Sequence, residues 1–162
     1  LNAAGQIPVH RETDGASDAL ISGVKLLELG HCLALYPEGT LTRDENSWPM
    51  VAKTGAARMA VTAKVPVLPV AQWGDQNFVP RYGGRIVFWK RHKVTVLAGK
   101  PIDMSNWYGK IDDPEAMREA TAHIMREITK LLEQIRGESA PTKIYDPHIS
   151  GLPRFGNPKK AK

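Results

Sequence analysis

A short polar turn at residues 37–43 carries side chains suited to holding an anion. It follows an apolar run at residues 32–36, and in open α/β sheets ligands bind beyond the carboxyl ends of the strands. Gly39 can adopt a positive φ and lets backbone N–H groups approach a phosphate. Hydroxyl, carboxyl and cationic groups surround it, on Glu38, Thr40, Thr42, Arg43 and Lys53. These residues predict a phosphate site, although Pro-x-Gly is common turn chemistry and the composition of the segment alone favours an ordinary turn.

A further cation, Arg11, follows a second predicted strand at residues 6–10. If the two strands are neighbours in a sheet, their ends bring Arg11 close to Glu38. A guanidinium group in that place can clamp two phosphate oxygens at once. An arginine at the end of a strand is also commonly a solvated surface residue.

Three blocks occur in an order that resembles the PlsC-type 1-acylglycerol-3-phosphate acyltransferases. Residues 5–11 resemble the family's Gly-x-Ile-x-x-x-Arg block, and residues 36–40 (Tyr-Pro-Glu-Gly-Thr) resemble its Phe-Pro-Glu-Gly-Thr block. Residues 65–70 resemble its Val-Pro-x-x-Pro block, and residues 53–56 its Lys-x-Gly-Ala stretch. Ordered blocks are far more specific than any single motif.

The resemblance implies a role in phospholipid biosynthesis. A fatty acyl group would pass from acyl-CoA or acyl carrier protein to the free hydroxyl of lysophosphatidic acid, giving phosphatidic acid. The family needs no metal or bound cofactor, and its acceptor-binding roles carry over to Arg11, Glu38, Gly39 and Thr40. The Arg-Ser pair that usually follows Glu-Gly-Thr is Leu-Thr here, so Arg43 would have to reach back to supply the cation.

The family's catalytic His-x-x-x-x-Asp block is not found in this sequence. Its histidine is a general base and its aspartate orients that base. None of the five histidines has an aspartate five positions later, so we assign no catalytic residue. We expect the block upstream of Leu1 and predict that this chain alone is inactive. The alternative is a non-catalytic module that binds phosphate or phospholipid.

Composition is that of a globular domain, with 162 residues of which 42% are hydrophobic and 24% charged. The net charge of +5 suits an anionic partner.

The single Cys32 lies in an apolar run and is predicted to be a buried structural thiol in a reducing cytoplasm. No run of about 18 apolar residues is present to span a bilayer.

The pattern of elements predicts an α/β fold with a mostly parallel central sheet and flanking helices, glycerophosphate acyltransferase-like and incomplete at its N-terminus. Asp113 should cap, Pro114 open and Gly137 close a long helix. Residues 1–137 are assigned to the acyltransferase domain and residues 138–162 to a Pro/Gly-rich basic tail. The other predicted elements are helices at residues 16–30 and 53–64, strands at residues 6–10, 32–36 and 65–70, and a hairpin at residues 85–89 and 93–98.

Residues 53–100 contain nine basic side chains and one acidic side chain. Aromatic residues are interleaved with them, at Trp73, Phe78, Tyr82, Phe88 and Trp89. This mixture predicts contact with an anionic membrane surface, as a peripheral protein on the cytoplasmic face. A solvated hairpin over an ordinary core explains it equally well. Single-stranded nucleic acid is a further possible partner, but no nucleic-acid-binding signature is present and none is expected to bind.

Overall fold

The structure is a computed structural model that describes residues 15–79, 89–147 and 149. The chain divides into two compact units, each assembled from several segments. The first comprises residues 1–37, 53–67 and 102–121, and the second comprises residues 38–52, 68–101 and 122–162.

Two helices pack together in the first unit. Helix α1 spans Gly15–Glu28 and helix α2 spans Gly55–Ala63, as the apolar spacing of both segments predicts. Gly23 lies where they meet, because a Cβ at this position would stand 2.7 Å from Sδ of Met59. Alanines dominate the buried face of α2, so the two backbones can approach closely. Leu29 falls within the helix predicted over residues 16–30, but it lies beyond the end of α1 and is exposed.

The remainder of the first unit is short and irregular. Val67 and Ile102 exchange two backbone hydrogen bonds of 3.1 and 2.8 Å as an isolated antiparallel bridge. A 3₁₀ turn at Ser105–Trp107 follows. The buried indole of Trp107 donates to Oε2 of Glu119 at 3.3 Å, which satisfies its polar atom.

The second unit contains a two-stranded antiparallel sheet. Strand β1 spans Val70–Trp73, strand β2 spans Thr95–Ala98, and Val70 pairs with Ala98. Side chains alternate across the sheet, so Ala71 faces the core while Val70 is exposed. The core cluster beneath the sheet comprises Trp48, Ala71, Leu131 and Leu132, with Trp73, Leu97, Ile128, Ile135 and Ala140 packed against it.

The long helix α3 spans Pro114–Arg136, with its first eight residues in the first unit and the rest in the second. Its start is capped as predicted, because Oδ1 of Asp113 accepts the N–H groups of Glu115 and Ala116 at 2.8 and 3.2 Å. Gly137 ends it with a φ of 67°. One face of α3 faces the core, with Met117, Thr121, Ile124 and Leu131 buried and Ile128 and Ile135 half-buried.

The α/β class and all three predicted helices are therefore confirmed, and two strand predictions need correction. Residues 32–36 are irregular, and Cys32 is exposed rather than buried. An apolar run this short has no periodicity that separates a strand from irregular structure, and no strand in the described ranges pairs with it.

The strand predicted at residues 65–70 is interrupted, and β1 begins only at Val70. Pro66 and Pro69 lack the N–H groups that a ladder requires, which explains the delayed start. In the predicted hairpin the second arm is confirmed as β2, but it pairs with β1. Residues 85–88 of the first arm lie outside the described ranges.

Within the described ranges, no helix is both long enough and apolar enough to cross a membrane. Two further predictions, the strand at residues 6–10 and the tail beyond residue 149, lie outside those ranges. The domain boundary at residue 137 and the mostly parallel central sheet stay predictions.

Candidate functional site

The predicted phosphate site is part of a loop in the second unit, residues 38–50, which we call the Glu38 loop. Gly39 has a φ of 68°, which confirms the prediction that glycine supplies a left-handed turn here. Five of the seven predicted site residues lie in this loop: Glu38, Gly39, Thr40, Thr42 and Arg43.

Glu38 joins the two ends of its loop. Oε1 of its carboxyl group accepts the backbone N–H of Met50 at 2.6 Å, and the Met50 side chain is fully buried. Burial raises the pKa of Glu38 to about 7, although the Met50 N–H acts in the opposite direction. Near neutral pH the Glu38 side chain is therefore partly ionised. Its carboxylate form only accepts hydrogen bonds, whereas its carboxylic acid form can also donate one.

Thr42 and Asp44 crosslink the interior of the loop. The Thr42 hydroxyl donates to the Trp48 carbonyl at 2.7 Å and accepts the Asp44 N–H at 3.2 Å. Oδ1 of Asp44 accepts the N–H groups of Asn46 and Trp48 at 2.9 and 3.0 Å. These bonds hold the loop in one conformation, so the Thr42 hydroxyl serves the loop itself in this structure.

The two predicted cations differ in their surroundings. Arg43 is only 7% exposed, and its Nε and Nη1 atoms are shielded from solvent. Lys53 belongs to the first unit, where its side chain is exposed and its N–H donates to the Pro37 carbonyl at 3.0 Å. Thr40 is half-buried, and Arg11 lies outside the described residues.

Sequence reasoning did not single out Asp44 and Trp48. Aspartate followed by asparagine and serine is typical turn chemistry, so a turn signal for Asp44 was present at residues 44–47. Trp48 carried no such signal, since only the folded chain places its 5% exposed indole in the core and its carbonyl opposite Thr42.

The three described histidines differ in their surroundings. His31 is exposed, and Nδ1 of His123 lies 3.4 Å from a guanidinium nitrogen of Arg126. His92 is half-buried, packs its ring near Phe78, and has a shielded Nε2 with no hydrogen-bond partner in the described part of the chain. No catalytic role is assigned to any of them.

Comparison with known proteins supports the motif assignment. A family model described as acyltransferase matches residues 1–73. The 1-acyl-sn-glycerol-3-phosphate acyltransferase of Bacillus subtilis (strain 168) is 28% identical over an alignment of 131 residues, and the alignment covers 79% of this chain. Both matches agree with the resemblance of this chain to the PlsC-type acyltransferases. The family match covers the whole Glu38 loop and ends with strand β1, so β2 and α3 lie beyond it.

The chain spans 59% of the length of this Bacillus relative. No solved structure matches the chain.

Proposed function

We propose that the chain is part of an enzyme that transfers a fatty acyl group from acyl-CoA or acyl carrier protein to the free hydroxyl of lysophosphatidic acid. The Glu38 loop would bind the phosphate of this acceptor. The observation that carries the proposal is the Pro-Glu-Gly-Thr block within an acyltransferase-family segment, with its glycine at positive φ in a crosslinked loop. The mostly parallel sheet and the roles of Arg11 and Lys53 belong to the same proposal.

The chemistry of the loop suits a phosphate monoester. Gly39 has no side chain to obstruct an anion that approaches the backbone of this turn, and Thr40 offers a hydroxyl donor beside it. Glu38 would repel the anion as a carboxylate, but its raised pKa makes the neutral acid accessible at pH 7. In that form its hydroxyl can donate a hydrogen bond to a phosphate oxygen.

The test is an acylation assay on the protein expressed from its complete reading frame. We expect lysophosphatidic acid to be acylated. Glu38→Ala should lower kcat/KM for this acceptor about 30-fold, because the hydrogen bond from the Glu38 carboxyl group to the charged phosphate is lost. The KM for the acyl donor should stay within about twofold of the original value.

Glu45→Ala is the matched control, since Glu45 is an exposed carboxylate in the same loop. Its kinetic constants should equal those of the unmodified enzyme. If Glu45→Ala lowered kcat/KM for the acceptor as much as Glu38→Ala does, Glu38 would have no specific role in acceptor binding. The same would follow if Glu38→Ala impaired the use of donor and acceptor equally. Saturable binding of lysophosphatidic acid without any product would favour the second candidate function, a non-catalytic phospholipid-binding module.

We also propose that the second unit contacts an anionic lipid surface on the cytoplasmic face of a membrane. The outward face of the β1–β2 sheet carries three exposed apolar side chains, Val70, Val96 and Ala98, and one polar side chain, Gln72. Trp89 is 72% exposed nearby in sequence. Four exposed cations occur in the same stretch, Lys90, Arg91, Lys93 and Lys100, and no acidic residue lies among them.

This surface is narrower than the strip predicted from sequence. Trp73 packs against the core of the second unit, while Arg81, Tyr82, Arg85 and Phe88 lie outside the described ranges. Apolar side chains with cations at their margin fit a bilayer interface, where each cation near the surface contributes about 1 kcal/mol.

Vesicle sedimentation tests the lipid surface. The double substitution Arg91→Glu with Lys93→Glu should weaken binding to phosphatidylglycerol vesicles at least about 30-fold, because two attractive charges become repulsive. Lys110→Glu with Arg118→Glu, an equal charge change at exposed residues of the first unit, should change it by less than about threefold. If both double substitutions weakened vesicle binding equally, this surface would be excluded as the lipid contact. Tighter binding of single-stranded DNA than of the vesicles would exclude it as well.

A further inference from the structure

We infer that Arg136 is a positioning residue that holds the Glu38 loop in its acceptor-binding conformation. The inference rests on the proposed function for the acceptor, but the contacts that support it lie wholly within the second unit. Arg136 is the last residue of α3, ninety positions along the chain from the loop residue whose carbonyl it binds.

The guanidinium group of Arg136 lies over two indole rings. Its Cζ atom is 3.9 Å from the ring centroid of Trp48 and 4.3 Å from that of Trp73. A planar cation over aromatic faces is attracted by the ring quadrupole, and the attraction increases when solvent is excluded. The side chain is only 8% exposed, so solvent is largely excluded here.

Hydrogen bonds fix the orientation of the same group. Nη1 donates to the Asn46 carbonyl at 2.8 Å, and Nη2 donates to Oε2 of Glu138 at 2.7 Å. Nε is shielded and has no hydrogen-bond partner among the described residues. The planar fork of arginine allows stacking and two separate hydrogen bonds at once, which a lysine ammonium cannot reproduce.

The contacts reach the predicted site through the hydrogen bonds of the loop. Arg136 binds the loop at Asn46 and Trp48, and the Trp48 carbonyl accepts the Thr42 hydroxyl. Two residues later, the Met50 N–H donates to Glu38. Loss of the stacked cation would therefore loosen the half of the loop on which Glu38 and Thr42 depend.

A purely structural role is the competing explanation, because Trp48 belongs to the core cluster and Trp73 packs against it. The two roles differ in what they change. A structural residue alters the stability of the unit and the amount of folded enzyme. A positioning residue raises the KM for the acceptor while the folded protein binds its acyl donor as before.

The experiment compares Arg136→Lys with Arg126→Lys in the protein expressed from its complete reading frame. Arg126 is an exposed arginine on the same helix and is the matched control. We expect Arg136→Lys to raise the acceptor KM about tenfold and to leave the donor KM within about twofold. Arg126→Lys should leave both unchanged.

Amide hydrogen exchange of Trp48 and Met50 provides a readout that does not depend on activity. Both N–H groups are bonded inside the loop, and Arg136→Lys should speed their exchange about tenfold. Glu138→Gln removes the charge of one Arg136 partner but keeps the stacking, so it should speed exchange by less than about threefold.

Two results would overturn the inference. One is unchanged amide exchange in Arg136→Lys, which would mean that Arg136 does not hold the loop. The other is faster exchange with an unchanged acceptor KM, or with donor and acceptor KM raised equally, which would leave only a structural role. If the unmodified enzyme acylates no acceptor, the proposed function fails, and the inference is then tested by binding. In that case, equal affinities of Arg136→Lys and the unmodified protein for lysophosphatidic acid would overturn it.

Discussion

Gly74→Ala is expected to lower the free energy of unfolding by about 3–5 kcal/mol, the range of severe single substitutions. Gly74 follows strand β1 and has a φ of 108°, which side chains of L-residues rarely adopt. A Cβ atom at this position would stand 2.1 Å from the Lys93 carbonyl oxygen, far inside van der Waals contact. The neighbouring pair of Trp73 with Thr95 holds both backbones in register, so neither can move away easily.

Urea unfolding at fixed pH measures this effect, and Gly137→Ala is its control. Gly137 also has a positive φ, 67°, but a Cβ atom there would meet no atom within 4 Å. The control should therefore show only the backbone penalty of about 1–2 kcal/mol. If the two variants lost equal amounts of unfolding free energy, the close approach of Gly74 to Lys93 would not account for the destabilisation.

Glu38→Gln is expected to raise the free energy of unfolding at pH 8 by about 1–3 kcal/mol, because glutamine removes the cost of burying an ionised carboxylate. Burial raises the pKa of Glu38 from 4.5 to about 7. Between these two values the folded state binds more protons than the unfolded state. Stability contributed by the neutral acid is therefore lost as the pH rises from 4.5 to 7.

Glutamine removes the titration while its amide oxygen can still accept the Met50 N–H, so the loop keeps its closure. The measurement is the free energy of unfolding at pH 5 and pH 8 for both proteins. Glu45→Gln, an exposed site in the same loop, should retain the original pH dependence. A Glu38→Gln protein with the same pH dependence as the original would show that Glu38 is not the titrating group.

The helices could be predicted because their signals are local. Apolar residues at helical spacing, Asp113 before the long helix and Gly137 after it are all visible within a few turns of chain. The left-handed turn at Gly39 is local in the same way, since only glycine adopts such a φ at little cost. Each of these signals depends on neighbours in sequence.

The strand pairing and the interior of the site could not be predicted in this way. Strand β2 pairs with β1, more than twenty residues away, although sequence spacing had favoured the adjacent segment as its partner. Trp73 was assigned to a surface strip but packs against the core cluster. Nothing near Arg136 in the sequence indicates that its guanidinium lies over Trp48.

By itself, the sequence determined the resemblance to acyltransferases, the three helices and the loop that contains the Pro-Glu-Gly-Thr block, because motifs, helix caps and glycine turns are encoded by neighbouring residues. Only the tertiary structure decided that Glu38 is half-buried with a raised pKa, that Arg43 is buried, and that Arg136 donates a hydrogen bond to the loop. Burial and long-range contacts depend on residues far apart in the chain, and their positions are known only once it has folded.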